Sequence, residues 1–457
     1  MKRTLQAFAT AVSGQLSGAD APFARVLIDS RALQAGDLFV ALPGSRVDGH
    51  DFVASAAAAG AAGALVSRRQ DVALPQIVVG DVAAALAQAA QAWRAQFAIP
   101  LVGVAGSNGK TTVKEMIAAV LAQRGATLAT RGNLNNHLGV PLTLFNLEAE
   151  HRAAVIEMGA NRAGDVAQLV EIARPDVGLI TNAGAEHLEG FGSLEGVARA
   201  EGEMVAGLAP GGTAIINADD PYAPLWRSMT RARVLGFGLN ADADVRARQL
   251  RFDIDAAGFN TRFALVTPQG SAEVQLALAG RHNVVNALAA AAAAGAAGAT
   301  LAQIVAGLAA MRAVPGRLQF RQTRQGAWLI DDSYNANPSS VQAGLEVLAT
   351  LSGSRWLVLG DMAELGEHAA AAHRSAGALA RLHGVERLFC FGELSALAAD
   401  EFGAGAQKFT DMAALCAALD RELSAPVRLL VKGSRVNRLE RLVNALIDNP
   451  GAVRQAG

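Results

Sequence analysis

The chain has 457 residues, of which 51% are hydrophobic and 18% charged, and its formal net charge is −1. This length exceeds what one hydrophobic core supports, so we expect two to four domains, and the apolar content excludes an intrinsically disordered chain. The near-zero net charge argues against a nucleic-acid-binding protein. The two cysteines, Cys390 and Cys416, lack metal-type spacing, which indicates reduced thiols in a cytoplasmic protein.

Two segments raise the question of a membrane. Residues 1–20 have a basic tip and a mildly apolar stretch, which faintly suggests a signal peptide. Polar residues interrupt it, and apolar side chains recur at helical spacing from Leu5 to Leu16, so we predict a surface helix. Residues 287–311 are nearly uncharged, but glycines and polar residues break the run, so we predict a soluble helix pair and no membrane association.

The chain divides into three blocks, which we predict to be three α/β domains. Short strand-like runs between Gly and Pro turns, with an alanine-rich helix, fill the first block. In the second, wholly apolar runs alternate with helical segments, which predicts a doubly wound, mostly parallel sheet. The pattern restarts in the third block, which predicts a further Rossmann-like α/β domain. The predicted boundaries are 1–82, 83–313 and 314–457.

The strongest local signal is the stretch GVAGSNGKTTVKEM at residues 103–116. An apolar strand-like run ends at Ala105, and an apolar stripe at helical spacing begins at Val113. The segment between them therefore joins a strand to a helix N-terminus, where unpaired backbone N–H groups and the helix dipole favour an anion. We predict that it is a phosphate-binding loop made by Gly106, Ser107, Asn108, Gly109, Lys110, Thr111 and Thr112.

Within this loop Lys110 would reach the terminal phosphates, and the Thr111 hydroxyl would ligate Mg²⁺. The loop is shorter than a full Walker A motif, because Val104 occupies the position of its first glycine. The alternative interpretation is a glycine turn with a solvated lysine.

Polar side chains follow other predicted strands. Glu157 comes directly after the run AAVI, where a carboxylate could hold Mg²⁺, although it could also be a surface residue. His187 follows a third run and is either an active-site residue or a structural one. Asn283 and Asn286 lie three residues apart at a helix start, where they could cap the helix or bind a nucleotide.

The stretch WLIDDSYNANPSS is the second strong signal. Its strand-like run is followed by two acids and two amides, more than a structural turn requires, and then by a helix that opens at Pro338. Arg317 precedes it, and the planar guanidinium of arginine suits bidentate phosphate contacts. The polar residues of this stretch are Asp331, Asp332, Tyr334, Asn335 and Asn337.

Together these segments resemble the Mur ligases, ATP-dependent amide ligases of bacterial peptidoglycan synthesis that are related to folylpolyglutamate synthetase. The resemblance covers nearly the whole chain. GSNGKTT resembles the ATP loop of the family, EMG its acid, TNAGAEHLEGFG its histidine segment and GRHNVVNALAA its asparagine segment. The shorter loop is also the family's, which accounts for the missing glycine.

Four stretches resemble one branch of this family: DDSYNANP, LGDMAELG (359–366), GNLNNHLGVPLT (132–143) and DSRALQAGDLFVALPGSRVDGHDF (29–52). That branch uses ATP and Mg²⁺ to join D-alanyl-D-alanine to UDP-N-acetylmuramoyl-tripeptide through an acyl phosphate. The resemblance implies that the first domain binds the UDP-substrate, the second binds ATP, and the third closes over ATP and binds the dipeptide. It also implies a monomer acting in the cytoplasm on small molecules.

The resemblance further implies residue roles. Lys110, Glu157 and His187 would be catalytic. One Mg²⁺ would bind Thr111 and Glu157, and His187 would help to hold a second. Contacts to the nucleotide would come from Asn283, Asn286, Arg317 and Asp332. Contacts to the substrates would come from Ser30, Arg31, Asn135, Asn136 and Asn337.

One position departs from the family. Relatives typically read AKGE after the histidine segment, with a carbamylated lysine that ligates the second Mg²⁺, whereas this chain has Glu201. We hypothesise that Glu201 serves this metal through a bridging water; the alternative is a surface residue.

Other functions remain open at this stage. A sister ligase or a folylpolyglutamate synthetase is a possible function within the same class, although YNANP and DMAELG argue against both. A P-loop NTPase is the alternative from another class, and Val104 argues against it.

Overall fold

The computed structural model contains three β-sheets, each built from a separate block of the chain, and helices cover them. This arrangement confirms the predicted α/β class. The structure describes residues 3–44, 47–185, 188–240, 242–255 and 258–447.

The N-terminal sheet has five strands in the order β1-β5-β4-β3-β2, and only β1 pairs in the antiparallel direction. Its elements are α1 (Leu5–Ala11), β1 (Gln15–Ser17), β2 (Val26–Leu27), β3 (Leu38–Val40), α2 (Val53–Ala58), β4 (Gly63–Val66) and β5 (Gln76–Val78). Helix α3 (Val82–Arg94) then leads to the central sheet.

The central sheet has nine strands in the order β14-β13-β12-β11-β10-β9-β6-β8-β7. The strands from β7 to β12 in this order pair in parallel, and β12, β13 and β14 form an antiparallel extension. Its first elements are β6 (Leu101–Ala105), α4 (Lys110–Leu121), β7 (Thr127–Ala129), α5 (Gly139–Leu144), β8 (Ala153–Glu157), α6 (Asp165–Ala173), β9 (Val177–Ile180), α7 (Leu188–Phe191) and α8 (Leu194–Ala206). The later ones are β10 (Thr213–Asn217), α9 (Ala223–Met229), β11 (Arg233–Gly238), β12 (Val245–Asp255), β13 (Gly258–Thr267), β14 (Gly270–Leu276), α10 (Arg281–Ala296) and α11 (Leu301–Ala310).

Strand β6 lies between β8 and β9, and all three run in the same direction. The loops that leave their carboxyl ends therefore meet at one edge of the sheet. These loops are the predicted phosphate loop, the segment after Glu157 and the segment after Ile180.

The C-terminal sheet has six strands in the order β15-β16-β20-β17-β18-β19, and only β15 is antiparallel to its neighbour. Its elements are β15 (Gln319–Gln322), β16 (Trp328–Asp332), α12 (Pro338–Ala349), β17 (Ser354–Gly360), α13 (Ala369–Leu382), β18 (Arg387–Phe391), α14 (Ser395–Phe402), β19 (Ala406–Phe409), α15 (Met412–Glu422), β20 (Val427–Lys432) and α16 (Glu440–Ile447).

The membrane-like segments are ordinary parts of the fold. Residues 287–311 lie in the helix pair α10 and α11, as predicted, and no described helix is long and apolar enough to cross a bilayer. The predicted N-terminal surface helix is confirmed as α1, which buries Leu5 and Phe8 and exposes Gln6 and Thr10. Only its extent is wrong, because the helix ends before Leu16, which belongs to β1.

The antiparallel extension is absent from the sequence-based prediction, although β12 carries the signal of a half-buried strand. Apolar residues alternate with charged ones along it, and the alternation changes phase at the bulge between Arg248 and Arg251. The extension continues the sheet towards the C-terminal domain, where Phe259 of β13 contacts Phe320 of β15 edge to face, with ring centroids 6.0 Å apart.

Candidate active site

The phosphate loop occupies the turn between β6 and α4, as predicted. Gly109 caps the helix with a left-handed φ of 84°, and a Cβ at this position would lie 2.6 Å from Asn286 Oδ1. Gly106 also has a positive φ of 117°, and its added Cβ would clash with the Thr181 hydroxyl. Both positions therefore require glycine.

Lys110 begins helix α4 and folds back over the loop. Its Nζ donates hydrogen bonds to the carbonyl oxygens of Gly106 at 2.5 Å and Ser107 at 3.1 Å. A phosphate bound by the loop would compete with these carbonyl oxygens for the ammonium group.

Glu157 ends β8 and is 3% exposed, so the surface alternative for this residue is wrong. Its Oε1 accepts a hydrogen bond of 2.9 Å from Asn135 Nδ2. Its Oε2 is buried and has no hydrogen-bond partner among the described residues. An unpartnered buried carboxylate oxygen is costly unless a cation binds it.

Glu201 lies on α8 and is 2% exposed, which makes the surface alternative wrong here as well. Its carboxylate accepts a hydrogen bond of 2.6 Å from the backbone N–H of Gly106. Glu201 therefore supports the phosphate loop directly.

The predicted histidine, His187, lies outside the described residues. The segment before it is well placed, because Asn182 Oδ1 accepts a hydrogen bond of 3.0 Å from the backbone N–H of Asn108. No group of three or more His, Cys, Asp or Glu residues that could hold a metal occurs within the described ranges.

Asn283 and Asn286 form a buried pair in the first turns of α10. Asn286 Nδ2 donates to Asn283 Oδ1 at 3.1 Å, and Asn283 Nδ2 donates to the Ala279 carbonyl at 2.7 Å. The pair packs against the loop at Gly109 and also faces the cavity described below.

The C-terminal domain brings an arginine to the loop. Arg317 Nη2 donates a hydrogen bond of 3.1 Å to Thr111 Oγ1, and its guanidinium stacks 4.4 Å from the centre of the Tyr334 ring. Asp332 pairs with Lys432 at 2.6 Å. Burial raises the pKa of Asp332, and the positive charge of Lys432 opposes this rise.

A second contact between the two domains involves Asn337, which caps helix α12 because its Oδ1 accepts a hydrogen bond from the Ser340 N–H. Its Nδ2 also donates to Asn108 Oδ1 at 2.9 Å, while Asn108 Nδ2 donates to Ser339 Oγ at 3.1 Å. The carboxamide of Asn337 thus joins the C-terminal domain to the phosphate loop, which the sequence did not indicate.

These groups surround one cavity of about 500 Å³ between the central and C-terminal domains, a size typical of ligand sites. The predicted residues that line it are Ser107, Asn108, Gly109, Lys110, Thr111, Thr112, Asn135, Glu157, Asn283, Asn286, Arg317, Asp332 and Asn337.

Other predicted residues lie elsewhere. Ser30 and Arg31 form a short 3-10 turn in the N-terminal domain, where Arg31 pairs with Asp29 at 2.8 Å and is largely exposed. Asn136 Oδ1 accepts from the backbone N–H groups of Leu138 and Gly139, so its side chain holds the start of α5.

The cavity lining also contains polar residues that the sequence-based set lacks, among them His282, Ser339, Ser340 and Lys432. Lys432 ends an apolar strand of a parallel sheet, which is the same sequence signal that indicates Glu157. His282 precedes the asparagine pair and follows Gly280 at the start of α10, which is a comparable signal.

Comparison with protein-family models gives three matches along the chain. The Mur ligase catalytic domain matches residues 22–97, the Mur ligase middle domain residues 104–294, and the Mur ligase glutamate ligase domain residues 316–435. A curated relative from Escherichia coli, UDP-N-acetylmuramoyl-tripeptide–D-alanyl-D-alanine ligase, is 46% identical over 98% of both chains. The chain belongs to the Mur ligase family.

Solved structures of this family superpose over nearly the whole chain. MurF from Acinetobacter baumannii has a TM-score of 0.89 at 36% identity and covers 96% of this chain and 98% of its own. The MurF ligase of Thermotoga maritima in complex with ADP has a TM-score of 0.83 at 28% identity and covers 92% of this chain and 96% of its own. These matches confirm the predicted family and fold.

Proposed function

We propose that this Mur ligase uses ATP to join D-alanyl-D-alanine to UDP-N-acetylmuramoyl-tripeptide in peptidoglycan precursor synthesis. The observation that carries the proposal is the full-length likeness to the Escherichia coli ligase of that name. The geometry agrees with it, since a phosphate loop, a buried carboxylate and an arginine from another domain face one cavity. Bound ADP in the Thermotoga relative supports ATP as the phosphoryl donor.

The residues present fit a Mg²⁺ ion. Glu157 Oε2 is buried without a hydrogen-bond partner in the described structure, and carboxylate and hydroxyl oxygens are ligands that Mg²⁺ accepts. Glu157 and Thr111 would hold this ion together with phosphate oxygens of the nucleotide. When bound, Mg²⁺ neutralises charge on the phosphoryl oxygens. His187 and, through a water, Glu201 remain proposed ligands of a second ion.

The cavity residues would act mainly by positioning and by offsetting charge. Lys110 would leave the Gly106 and Ser107 carbonyls to contact the phosphates, and Arg317 would approach them from the C-terminal side. The asparagine pair Asn283 and Asn286 would contact the nucleotide beside the loop.

The chemistry requires an enclosed site. The terminal carboxylate of the tripeptide would attack the γ-phosphoryl group to form an acyl phosphate, with ADP as the leaving group. The dipeptide amine would then attack the acyl carbon, lose a proton and displace phosphate. Water would hydrolyse the acyl phosphate, so the domains must exclude it. We propose that the third domain (314–457) closes over ATP and binds the dipeptide, while the second (83–313) binds ATP and the first (1–82) the UDP moiety, at Ser30 and Arg31.

Further substrate contacts would come from Asn135, Asn136 and Asn337. Asn135 suits this role, because it lines the cavity and touches Glu157. The side chains of Asn136 and Asn337 already hold helix starts, so any contact they make would be additional. A monomeric state and a cytoplasmic location stay predictions.

The test is phosphate release from ATP with Mg²⁺ and the UDP-muramoyl-tripeptide, with and without D-alanyl-D-alanine. We expect release to require both substrates and to yield the UDP-muramoyl-pentapeptide. Phosphate release that requires an amine other than D-alanyl-D-alanine would indicate a sister ligase. Phosphate release without any acceptor would indicate an NTPase. Either result would contradict the proposal.

A further inference from the structure

Lys114 is a buried lysine that the chemistry proposed above does not use. It lies on α4 one helical turn after Lys110, and its side chain is 1% exposed. Its Nζ donates to the backbone carbonyl of Thr130 at 2.7 Å and to Glu115 Oε1 at 2.5 Å. An ammonium group is costly to bury unless it is paired and hydrogen-bonded, so this position has a specific task.

Thr130 accepts this hydrogen bond from α4 and also makes hydrogen bonds with strand β8. It is 1% exposed and directly follows β7. Its N–H donates to the Val155 carbonyl of β8 at 3.1 Å, its carbonyl accepts from Lys114, and its Oγ1 accepts from the N–H of Glu157 at 2.9 Å. The side chain of Thr130 therefore holds the backbone of the residue whose carboxylate faces the cavity.

Thr130 also begins the segment that contains Asn135, the residue that donates a hydrogen bond to the Glu157 carboxylate. Five residues after Thr130, Asn135 donates to Glu157 Oε1, and its carbonyl accepts from the Gly159 N–H at 2.8 Å. Glu157 is thus fixed at its backbone by Thr130 and at its carboxylate by Asn135. Both constraints originate in a segment that Lys114 fastens to α4.

We propose that Lys114 and Thr130 are positioning residues that aim the Glu157 carboxylate, and that they thereby set the affinity of the nucleotide complex for a divalent cation. Because α4 also carries Lys110 and Thr111, one rigid helix would align the phosphate loop with the metal-binding acid. The inference rests on the proposed role of Glu157 as a Mg²⁺ ligand.

The decisive experiment compares Thr130→Val with Thr130→Ser. Valine has the shape of threonine without the hydroxyl, whereas serine keeps it. Mn²⁺ is titrated into the full-length protein with saturating ADP, and free Mn²⁺ is measured by electron paramagnetic resonance. We expect Thr130→Val to raise the Mn²⁺ dissociation constant about five-fold, the effect of one lost hydrogen bond, and Thr130→Ser to stay within about two-fold of the parent.

Controls separate positioning from folding. ADP affinity in EDTA and the circular dichroism spectrum should be unchanged in both variants, because the phosphate loop is kept and valine and serine both fit the buried site of Thr130. Lys114→Met, which replaces the ammonium by an unbranched apolar side chain, should weaken Mn²⁺ binding in the same direction. Folded Thr130→Val with unchanged Mn²⁺ affinity would overturn the proposal, and so would loss of folding in both Thr130→Val and Lys114→Met.

The titration uses neither the tripeptide nor the dipeptide, so its result is independent of the acceptor. If the ligase assay fails while the valine and serine variants differ as expected, the positioning role stands and only the proposed substrates are wrong. In steady-state assays of ligation, Thr130→Val should raise the Mg²⁺ concentration for half-maximal rate more than it raises KM for ATP.

Discussion

At the scale of single residues, Glu201 shows how a buried charge can support a binding loop. Its carboxylate accepts a hydrogen bond of 2.6 Å from the backbone N–H of Gly106, in the proposed phosphate loop. A hydrogen bond to a charged group contributes about 1.5–3 kcal/mol, and loss of the acceptor would leave the Gly106 N–H unpaired in a buried place. We therefore expect Glu201 to affect nucleotide binding whether or not it also serves a metal.

We predict that Glu201→Ala raises the KM for ATP about ten-fold or more, whereas Glu201→Gln, which keeps an acceptor oxygen, raises it less than about three-fold. Steady-state kinetics at saturating Mg²⁺ would measure this difference. If both variants raise the KM for ATP equally and also change the Mg²⁺ dependence of the rate, the result would instead indicate that the carboxylate acts on a metal ion.

His282 is a second residue whose environment has a measurable consequence. Burial, with the positive charge of Lys432, lowers the pKa of its imidazole to about 4 from the usual 6.5. The folded protein therefore keeps the ring neutral, while the unfolded chain protonates it below pH 6.5. Stability from this group is complete above pH 6.5 and is lost as the pH falls from 6.5 towards 4.

We expect the melting temperature to fall between pH 7 and pH 5, and to fall less in His282→Gln, whose side chain does not titrate. The difference should stay below about 1.4 kcal/mol per pH unit, because the two states differ by at most one proton at His282. Differential scanning calorimetry across this range would measure it. Identical pH profiles in the two proteins would contradict the assignment.

At the scale of elements, helix α4 carries the phosphate loop and is held by close packing against α11. A Cβ at Gly307 of α11 would lie 2.7 Å from the backbone nitrogen of Val120, an approach that a methyl group cannot make. Gly295 of α10 offers a contrast, since its nearest contact would be the flexible Gln269 side chain at 3.5 Å.

We therefore predict opposite effects for two alanine substitutions. Gly307→Ala should destabilise the protein by about 1–3 kcal/mol through overpacking, whereas Gly295→Ala should stabilise it by about 0.5–1 kcal/mol by restricting the unfolded chain. Thermal unfolding of both variants would show this. A neutral Gly307→Ala would mean that α11 can move away from α4.

The elements also show where sequence reasoning succeeds. Apolar runs ended by glycine or by a polar side chain predicted β6, β8 and their loops, because a buried parallel strand has few other ways to end. Glu201 and Lys114 were harder, since a charged residue in a helix usually faces water. Their spacing was the available signal: Glu201 lies four residues from both Val197 and Val205, on the buried face of α8.

At the scale of the whole molecule, the site depends on contacts that no local pattern could predict. The Asn108–Asn337 hydrogen bond joins residues 229 positions apart, and the Arg317–Thr111 bond joins residues 206 positions apart. Both connect the phosphate loop or the first turn of α4 to the C-terminal domain. The proposed nucleotide site is therefore complete only when the two domains are together, which suits the proposed reaction, since that reaction must exclude water.

This dependence gives a prediction for domain closure. Asn108→Ala removes both side-chain hydrogen bonds to the C-terminal domain, to Asn337 and Ser339, but leaves the backbone bond to Asn182. Two such bonds contribute about 1–3 kcal/mol in total, so we expect a five- to hundred-fold lower ligation rate. ADP affinity should fall less than the rate, because the backbone N–H groups of the loop are kept.

Small-angle X-ray scattering of Asn108→Ala with bound ADP should show a larger radius of gyration than that of the parent protein. Ser339→Ala, which removes one of the two bonds, should give an intermediate value, and an unchanged radius in Asn108→Ala would mean that other contacts hold the domains closed.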